Sequence, residues 1–153
     1  MTSITDDGQD VTESITTDRP RPRALYFYLL GALGLGVTAL IGGGTLVLDS
    51  SGELMGLPIE WLDGTPFADY LVPGVILFGV LGVGSFVVVY GLLAYRKWAW
   101  YAAVALGGAL VVWIIVQLFL IQLFHVLHLI YGALGVALVA LSLLPSVRTY
   151  FDQ

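Results

Sequence analysis

The fold is decided by the stretch DSSGELMGLPIEWLDGTPFADYLVPG, residues 49–74. It is a long polar interruption in a chain that is otherwise almost entirely apolar once the first 23 residues are past. The stretch has no Lys or Arg, and its five carboxylates are Asp49, Glu53, Glu60, Asp63 and Asp69. The apolar segments on its two sides are therefore separate membrane-spanning elements, and residues 49–72 form the outer loop between them.

The composition is typical of an integral membrane protein. Of the 153 residues, 58% are hydrophobic and only 11% are charged, whereas a soluble domain has about 25% charged residues. A spanning helix needs about 20 apolar residues, so the apolar residues supply four spans and leave none for a further folded domain. The chain has no cysteine, which excludes disulfide and thiolate chemistry.

We predict an all-α integral membrane four-helix bundle, with a transmembrane domain over residues 24–148. Its spans are predicted over 24–48, 73–95, 98–121 and 125–144. The apolar run 98–144 is too long for one span and must fold back, and the polar Gln122 and His125 mark the turn. Residues 1–23 lack aromatic residues and hydrophobic periodicity, so we expect a disordered acidic tail.

The basic residues predict the orientation of the bundle. All six flank the predicted spans at one end: Arg19, Arg21, Arg23, Arg96, Lys97 and Arg148. The positive-inside rule then predicts N-in and C-in topology, a cytoplasmic tail and a multi-pass protein of the cell membrane. Because orientation accounts for these few basic residues, the chain shows no nucleic-acid footprint.

The outer loop is predicted to contain a short interfacial helix over residues 57–62. Pro58 suits the first turn of such a helix and Gly64 lies just past its end. Trp61 would then lie at the depth of the lipid headgroups. The carboxylates of the loop have structural explanations, since Asp49 ends the first span in water and Asp69 suits the first turn of the second span.

Glycine and alanine recur along the spans, including Ala99, Ala103 and Gly107 at four-residue spacing. Small residues allow helix backbones to approach closely within a membrane. Two interpretations remain open at this point. The small residues either pack the helices of one bundle or form the contact face of a homo-oligomer.

Two histidines suggest a possible metal site. His125 and His128 are three residues apart and therefore share one helical face. With Asp69 from the outer loop they would make a sufficient first shell for a divalent metal such as Zn, Cu, Fe or Ni. Otherwise, both histidines are polar ends of the fourth span that hydrogen-bond the loop and the tight turn. Their spacing lacks further ligands and is not specific, and we expect no other cofactor.

Several motifs occur together along the chain. They are GGG at 42–44, the loop stretch 49–74, W-x-x-x-Q at 113–117 and H-x-x-H-x-x-Y-x-x-x-G at 125–135. In this pattern the chain resembles a family of uncharacterised small four-span membrane proteins of bacteria and archaea. The acidic tail, rich in Thr and Asp, is similar to haloarchaeal sequences. The resemblance implies a topology and a membrane location, and it implies no activity.

The predicted spans contain no charged residue, which disfavours an ion-coupled transporter. We therefore expect a non-enzymatic structural or partner-binding membrane module, with the lipid bilayer, a second copy or another membrane protein as its partner. One alternative is a small metal- or cofactor-binding membrane protein with its site at the outer face. A second alternative is a subunit of an oligomeric pore or transporter.

Overall fold

A computed structural model describes residues 20–121 and 124–152 of the chain. These residues are all-helical and contain no strand, and four of their helices are long and apolar enough to cross a membrane. The prediction of an all-α fold with four such helices is therefore confirmed, and the helices are compatible with a multi-pass membrane protein. Most of the predicted disordered tail, through residue 19, lies outside the described residues, as does Gln122.

The helices follow one another with short connections after the first loop. In chain order they are α1 (Arg23–Leu48), α2 (Leu71–Ile76), a π-helical segment (Leu77–Val83), α3 (Gly84–Leu93), α4 (Lys97–Ile121), α5 (Val126–Leu143) and α6 (Pro145–Phe151). The second span, Leu71–Leu93, comprises α2, the π-helical segment and α3. The loop before it contains two 3₁₀ turns, Glu53–Met55 and Ile59–Leu62.

The four spans are arranged as a ring. Helix α1 packs against the second span and against α5, while α4 packs against α3 and α5. The core is made of apolar residues from every span, including Leu35, Leu81, Leu110 and Leu138. Helix α5 is the least covered, because only 17% of its apolar window is buried, compared with 39% for α1. Most of the surface of α5 is therefore exposed in the described part of the chain.

In two of the helix pairs, glycines allow the backbones of the two helices to approach each other closely. A Cβ atom added at Gly43 of α1 would collide with the amide nitrogen of Phe78 in the π-helical segment. A Cβ atom at Gly107 of α4 would lie 2.9 Å from the amide nitrogen of Val139 in α5. Since Ala99 and Ala103 are also buried, these small residues pack inside the bundle.

Two long side chains make hydrogen bonds between helices of the bundle. The Tyr28 hydroxyl of α1 donates a hydrogen bond of 2.8 Å to the carbonyl oxygen of Ala103 in α4, which is the helix diagonally opposite. The Trp100 indole nitrogen donates to the carbonyl oxygen of Ser142 at 2.8 Å. Within a bilayer each polar group needs a partner inside the protein, so these bonds both satisfy and fix the two side chains.

Candidate functional site

The two ends of the bundle carry opposite charge. One end, called the basic end here, carries five cations in the described part of the chain: Arg21, Arg23, Arg96, Lys97 and Arg148. The other, the acidic end, carries the five carboxylates of the loop and no cation. Among the residues described, the one ion pair joins Arg148 to Asp152 at 3.7 Å, and both belong to the basic end. The loop carboxylates therefore form no ion pair with any of the described residues.

Asp49 fixes the first half of the loop. One carboxylate oxygen accepts hydrogen bonds from the Ser51 hydroxyl at 2.6 Å and the Ser51 amide at 3.2 Å. The other oxygen accepts from the Leu54 amide at 2.8 Å. These hydrogen bonds lower the pKa of the Asp49 carboxyl below its ordinary value, and the bond from the Leu54 amide has the largest effect. The Asp49 carboxylate therefore stabilises the conformation of the residues that follow it, as an Asp side chain does in an Asx turn.

Tyr70 fixes the second half of the loop. Its hydroxyl donates to the carbonyl oxygen of Pro58 at 2.8 Å, and its amide donates to the carbonyl oxygen of Ser50 at 2.9 Å. Its ring is buried in a small separate cluster with Leu46 and Leu62. Gly52 adopts a φ of 81°, where glycine is favoured, and a Cβ atom there would lie 2.9 Å from the Tyr70 ring. The loop thus folds around a core of its own.

The ordered loop exposes both apolar and acidic side chains to its surroundings. We call this set the loop surface and define it by Glu53, Leu54, Ile59, Glu60 and Asp63, all of them exposed. Its three carboxylates accept no hydrogen bond and meet no cation in the part of the chain that the structure describes. No hydrogen bond or ion pair of the described residues therefore gives these three carboxylates a role in the fold of the loop.

The two histidines cap the start of α5. The Nδ1 atom of His125 accepts a hydrogen bond from the Leu127 amide at 3.3 Å, and the Nδ1 atom of His128 accepts one from the His125 amide at 3.2 Å. This is the reciprocal arrangement of a capping box, which usually joins Ser or Thr to Glu at the same three-residue spacing. Both Nδ1 atoms therefore act as acceptors in the cap, whereas the Nε2 atoms take no part in it.

The structure does not gather the predicted metal ligands. Asp69 lies at the start of the second span, where its carboxylate accepts from the Leu71 amide at 3.0 Å, while His125 and His128 lie at the start of α5. In residues 20–121 and 124–152, no group of three or more His, Cys, Asp or Glu side chains could hold a metal ion. The sequence contained a signal for the capping role, because the His-x-x-His spacing is also that of a capping box.

Comparison with protein-family models, with curated proteins and with solved structures finds no match to this chain. The resemblance to small four-span membrane proteins therefore stays a prediction. Function has to be inferred from the residues of the two ends of the bundle.

Proposed function

We propose that this protein is a non-enzymatic membrane module that binds a protein partner through the loop surface. The observation that carries the proposal is that only some of the loop carboxylates accept hydrogen bonds. Asp49 and Asp69 accept hydrogen bonds that shape the loop and the start of the second span. Glu53, Glu60 and Asp63 have no such role among the described residues and are exposed.

The fixed shape of the loop supports binding. A surface that is already ordered loses less conformational entropy when it meets a partner, and Asp49 and Tyr70 hold both halves of this loop. Interfaces also combine an apolar centre with a polar rim, and Leu54, which is 71% exposed, lies beside Glu53 in the loop surface. The surplus of negative charge favours a partner segment that carries Lys or Arg, through electrostatic complementarity.

The proposed orientation places both termini in the cytoplasm and the loop surface outside the cell. Support comes from the charge of the basic end, because cationic residues next to spans are retained on the cytoplasmic side. In this orientation the 3₁₀ turn Ile59–Leu62 is interfacial, with the half-buried Trp61 at headgroup depth.

Site-specific photocrosslinking in native membranes tests the proposal. We expect a photoreactive residue at Leu54 to give a discrete protein adduct, and one at the exposed Ile130 of α5 to give only lipid adducts. The variant Glu53→Gln/Glu60→Gln/Asp63→Asn should lose the Leu54 adduct while the fold is retained. An adduct that survives this charge removal, or that forms equally from Ile130, contradicts binding through the loop surface.

Two other functions stay predictions. Metal analysis and absorbance spectra of the purified protein test the metal- or cofactor-binding alternative, and flux measurements in liposomes test the oligomeric pore or transporter. Membership in a family of small four-span membrane proteins also stays a prediction, which further homologous sequences would test.

A further inference from the structure

Three side chains from different parts of the chain meet at the basic end. Arg21, just before α1, donates a hydrogen bond of 3.0 Å from Nε to the Tyr95 hydroxyl, and its guanidinium lies 5.1 Å from the centre of the Tyr95 ring. Tyr95, after α3, has its ring 5.5 Å from that of Tyr150 in α6. We call Arg21, Tyr95 and Tyr150 the arginine–tyrosine cluster.

The backbone of Tyr95 is held in an unfavourable conformation. Its φ of 53° makes it the one non-glycine residue with positive φ in the part of the chain described. Glycine is the usual residue at such a position, just past the end of a helix, because a Cβ atom is disfavoured there. Strain of this kind persists where the surrounding structure requires it, often at binding sites. Here it directs the tyrosine ring toward Arg21 and Tyr150.

The Tyr150 hydroxyl is buried and makes no hydrogen bond of good geometry within residues 20–121 and 124–152, although the Tyr95 and Arg21 side chains lie beside it. A buried polar atom without a hydrogen bond is rare in folded proteins, and a bound water, ion or ligand is one common explanation. Burial is the main cause that raises the pKa of Tyr150 to about 12. The group is therefore a neutral hydroxyl at physiological pH and can donate a hydrogen bond.

Arg21 also has donors to spare. Its Nε atom donates to the Tyr95 hydroxyl, and the Tyr150 side chain also lies beside the guanidinium, which carries five N–H donors in all. A guanidinium presents donors in a planar fork that matches the oxygens of a phosphate group. The cluster thus offers a cation held by an aromatic ring and a neutral hydroxyl donor beside it.

The position of the cluster favours a phosphate group that belongs to a lipid headgroup. Arg21 precedes α1 by two residues, and Tyr95 follows the second span by two. Both therefore lie where the spans leave the hydrocarbon, at the depth of lipid headgroups. The basic end carries five cations and one acidic side chain, Asp152, in the described part of the chain, so the local charge favours an anionic headgroup.

We propose that the arginine–tyrosine cluster is a binding site for the phosphate group of an anionic lipid headgroup. The terminal nitrogens of Arg21 donate to phosphate oxygens, and the Tyr150 hydroxyl donates to one of them. Tyr95 positions the guanidinium through its hydroxyl and its ring. This site is independent of the loop surface, which lies at the opposite end of the bundle.

The test titrates the purified full chain in neutral detergent with phosphatidylglycerol, phosphatidylcholine or glycerol phosphate. Binding is measured by native mass spectrometry and the Tm by thermal unfolding. We expect phosphatidylglycerol to bind most tightly and to raise the Tm. Arg21→Gln should weaken this binding by about tenfold to a hundredfold, as expected for loss of a charge-assisted hydrogen bond. Arg23→Gln, the same change at an exposed residue of the same end, should leave binding within about twofold of the unchanged protein.

The variant Tyr150→Phe separates binding from folding. Because it removes a hydroxyl that makes no hydrogen bond of good geometry among the described residues, we expect an unchanged or higher Tm without lipid and weaker binding of phosphatidylglycerol. Equal losses in Arg21→Gln and Arg23→Gln would reveal general charge attraction and overturn the proposal. Equal binding of phosphatidylcholine or of glycerol phosphate, or unchanged binding in Tyr150→Phe, would overturn it as well.

Discussion

At the scale of single residues, Gly43 shows how closely the helices meet. Its Cα atom faces the backbone of the second span, where a Cβ atom would collide with the Phe78 amide and lie 2.8 Å from the carbonyl oxygen of Gly74. Neither backbone atom can rotate away as a side chain could. Helix α1 and the second span can therefore approach each other this closely only because residue 43 has no side chain.

The variant Gly43→Ala tests this contact. We expect it to lower the free energy of unfolding by about 1–3 kcal/mol, as overpacking of a close-packed site does. The matched control is Gly34→Ala in the same helix, where a Cβ atom would meet nothing within 4 Å. It should change stability by no more than about 0.5–1 kcal/mol. Both are measured by unfolding in mixed detergent micelles, and similar losses in the two variants would refute the contact.

The diagonal hydrogen bond of Tyr28 gives a second prediction. Tyr28→Phe keeps the ring but removes the donor to Ala103, so we expect a loss of about 1 kcal/mol in the free energy of unfolding. Tyr26→Phe serves as the control, because the Tyr26 side chain is 56% exposed. The same unfolding measurement applies, and a control that costs as much as Tyr28→Phe would rule out a role for the hydrogen bond.

Asp49 gives a pH-dependent prediction. Because its pKa in the folded loop is lower than the ordinary value, the ionised form stabilises the loop above the ordinary pKa of about 4. That stabilisation is lost as the pH falls through the lowered pKa. We expect the NMR signal of the Leu54 amide to shift in this acidic range, and the shift to be absent in Asp49→Asn. Asp63→Asn, at an exposed carboxylate without hydrogen bonds, should leave the transition unchanged.

At the scale of elements, the second span differs from the other three. Its π-helical segment Leu77–Val83 packs against α1, and the buried Ser85 hydroxyl bonds the carbonyl oxygen of Leu81 at the junction with α3. A π-helical turn accommodates an extra residue within an α-helix. The segment therefore sets the rotation of α2 relative to α3, and with it the direction in which the loop leaves the bundle.

Deleting one residue tests this interpretation. Removal of Gly79, which is exposed, should convert the segment into α-helix and change the free energy of unfolding by only about 1–2 kcal/mol. Removal of the exposed Val87 in α3 should prevent folding, because it rotates every preceding residue of the span by about 100°. Circular dichroism and unfolding measurements compare the two deletions. Equal damage would mean that the π-helical segment is not an insertion.

The spans could be predicted from the sequence because hydropathy marks where the chain enters and leaves the apolar region. The π-helical segment could not, since exposed and buried residues such as Val80 and Leu81 are equally apolar and leave no periodic signal. The spacing of His125 and His128 fits both a pair of metal ligands and a capping box, so the sequence alone does not decide between the two roles. The arginine–tyrosine cluster depends on contacts between distant residues, which a single sequence does not reveal.

At the scale of the whole molecule, the separation of charge along the bundle axis predicts the topology. Reporter enzymes fused at the carboxyl terminus and near Glu53 should report opposite compartments, with the carboxyl terminus in the cytoplasm. The experiment needs no stability measurement. If both fusions report the same compartment, the number of membrane crossings is not four and the proposed orientation fails.

The bond between Tyr28 and Ala103 also bears on permeation. The Tyr28 side chain is 1% exposed and joins helices on opposite sides of the ring of helices, so it occupies part of the interior through which a water-filled path would have to run. With this ring in place, we expect a single bundle to conduct neither ions nor water. Any conductance observed in liposomes must therefore follow a route between neighbouring chains, or require Tyr28 to swing aside.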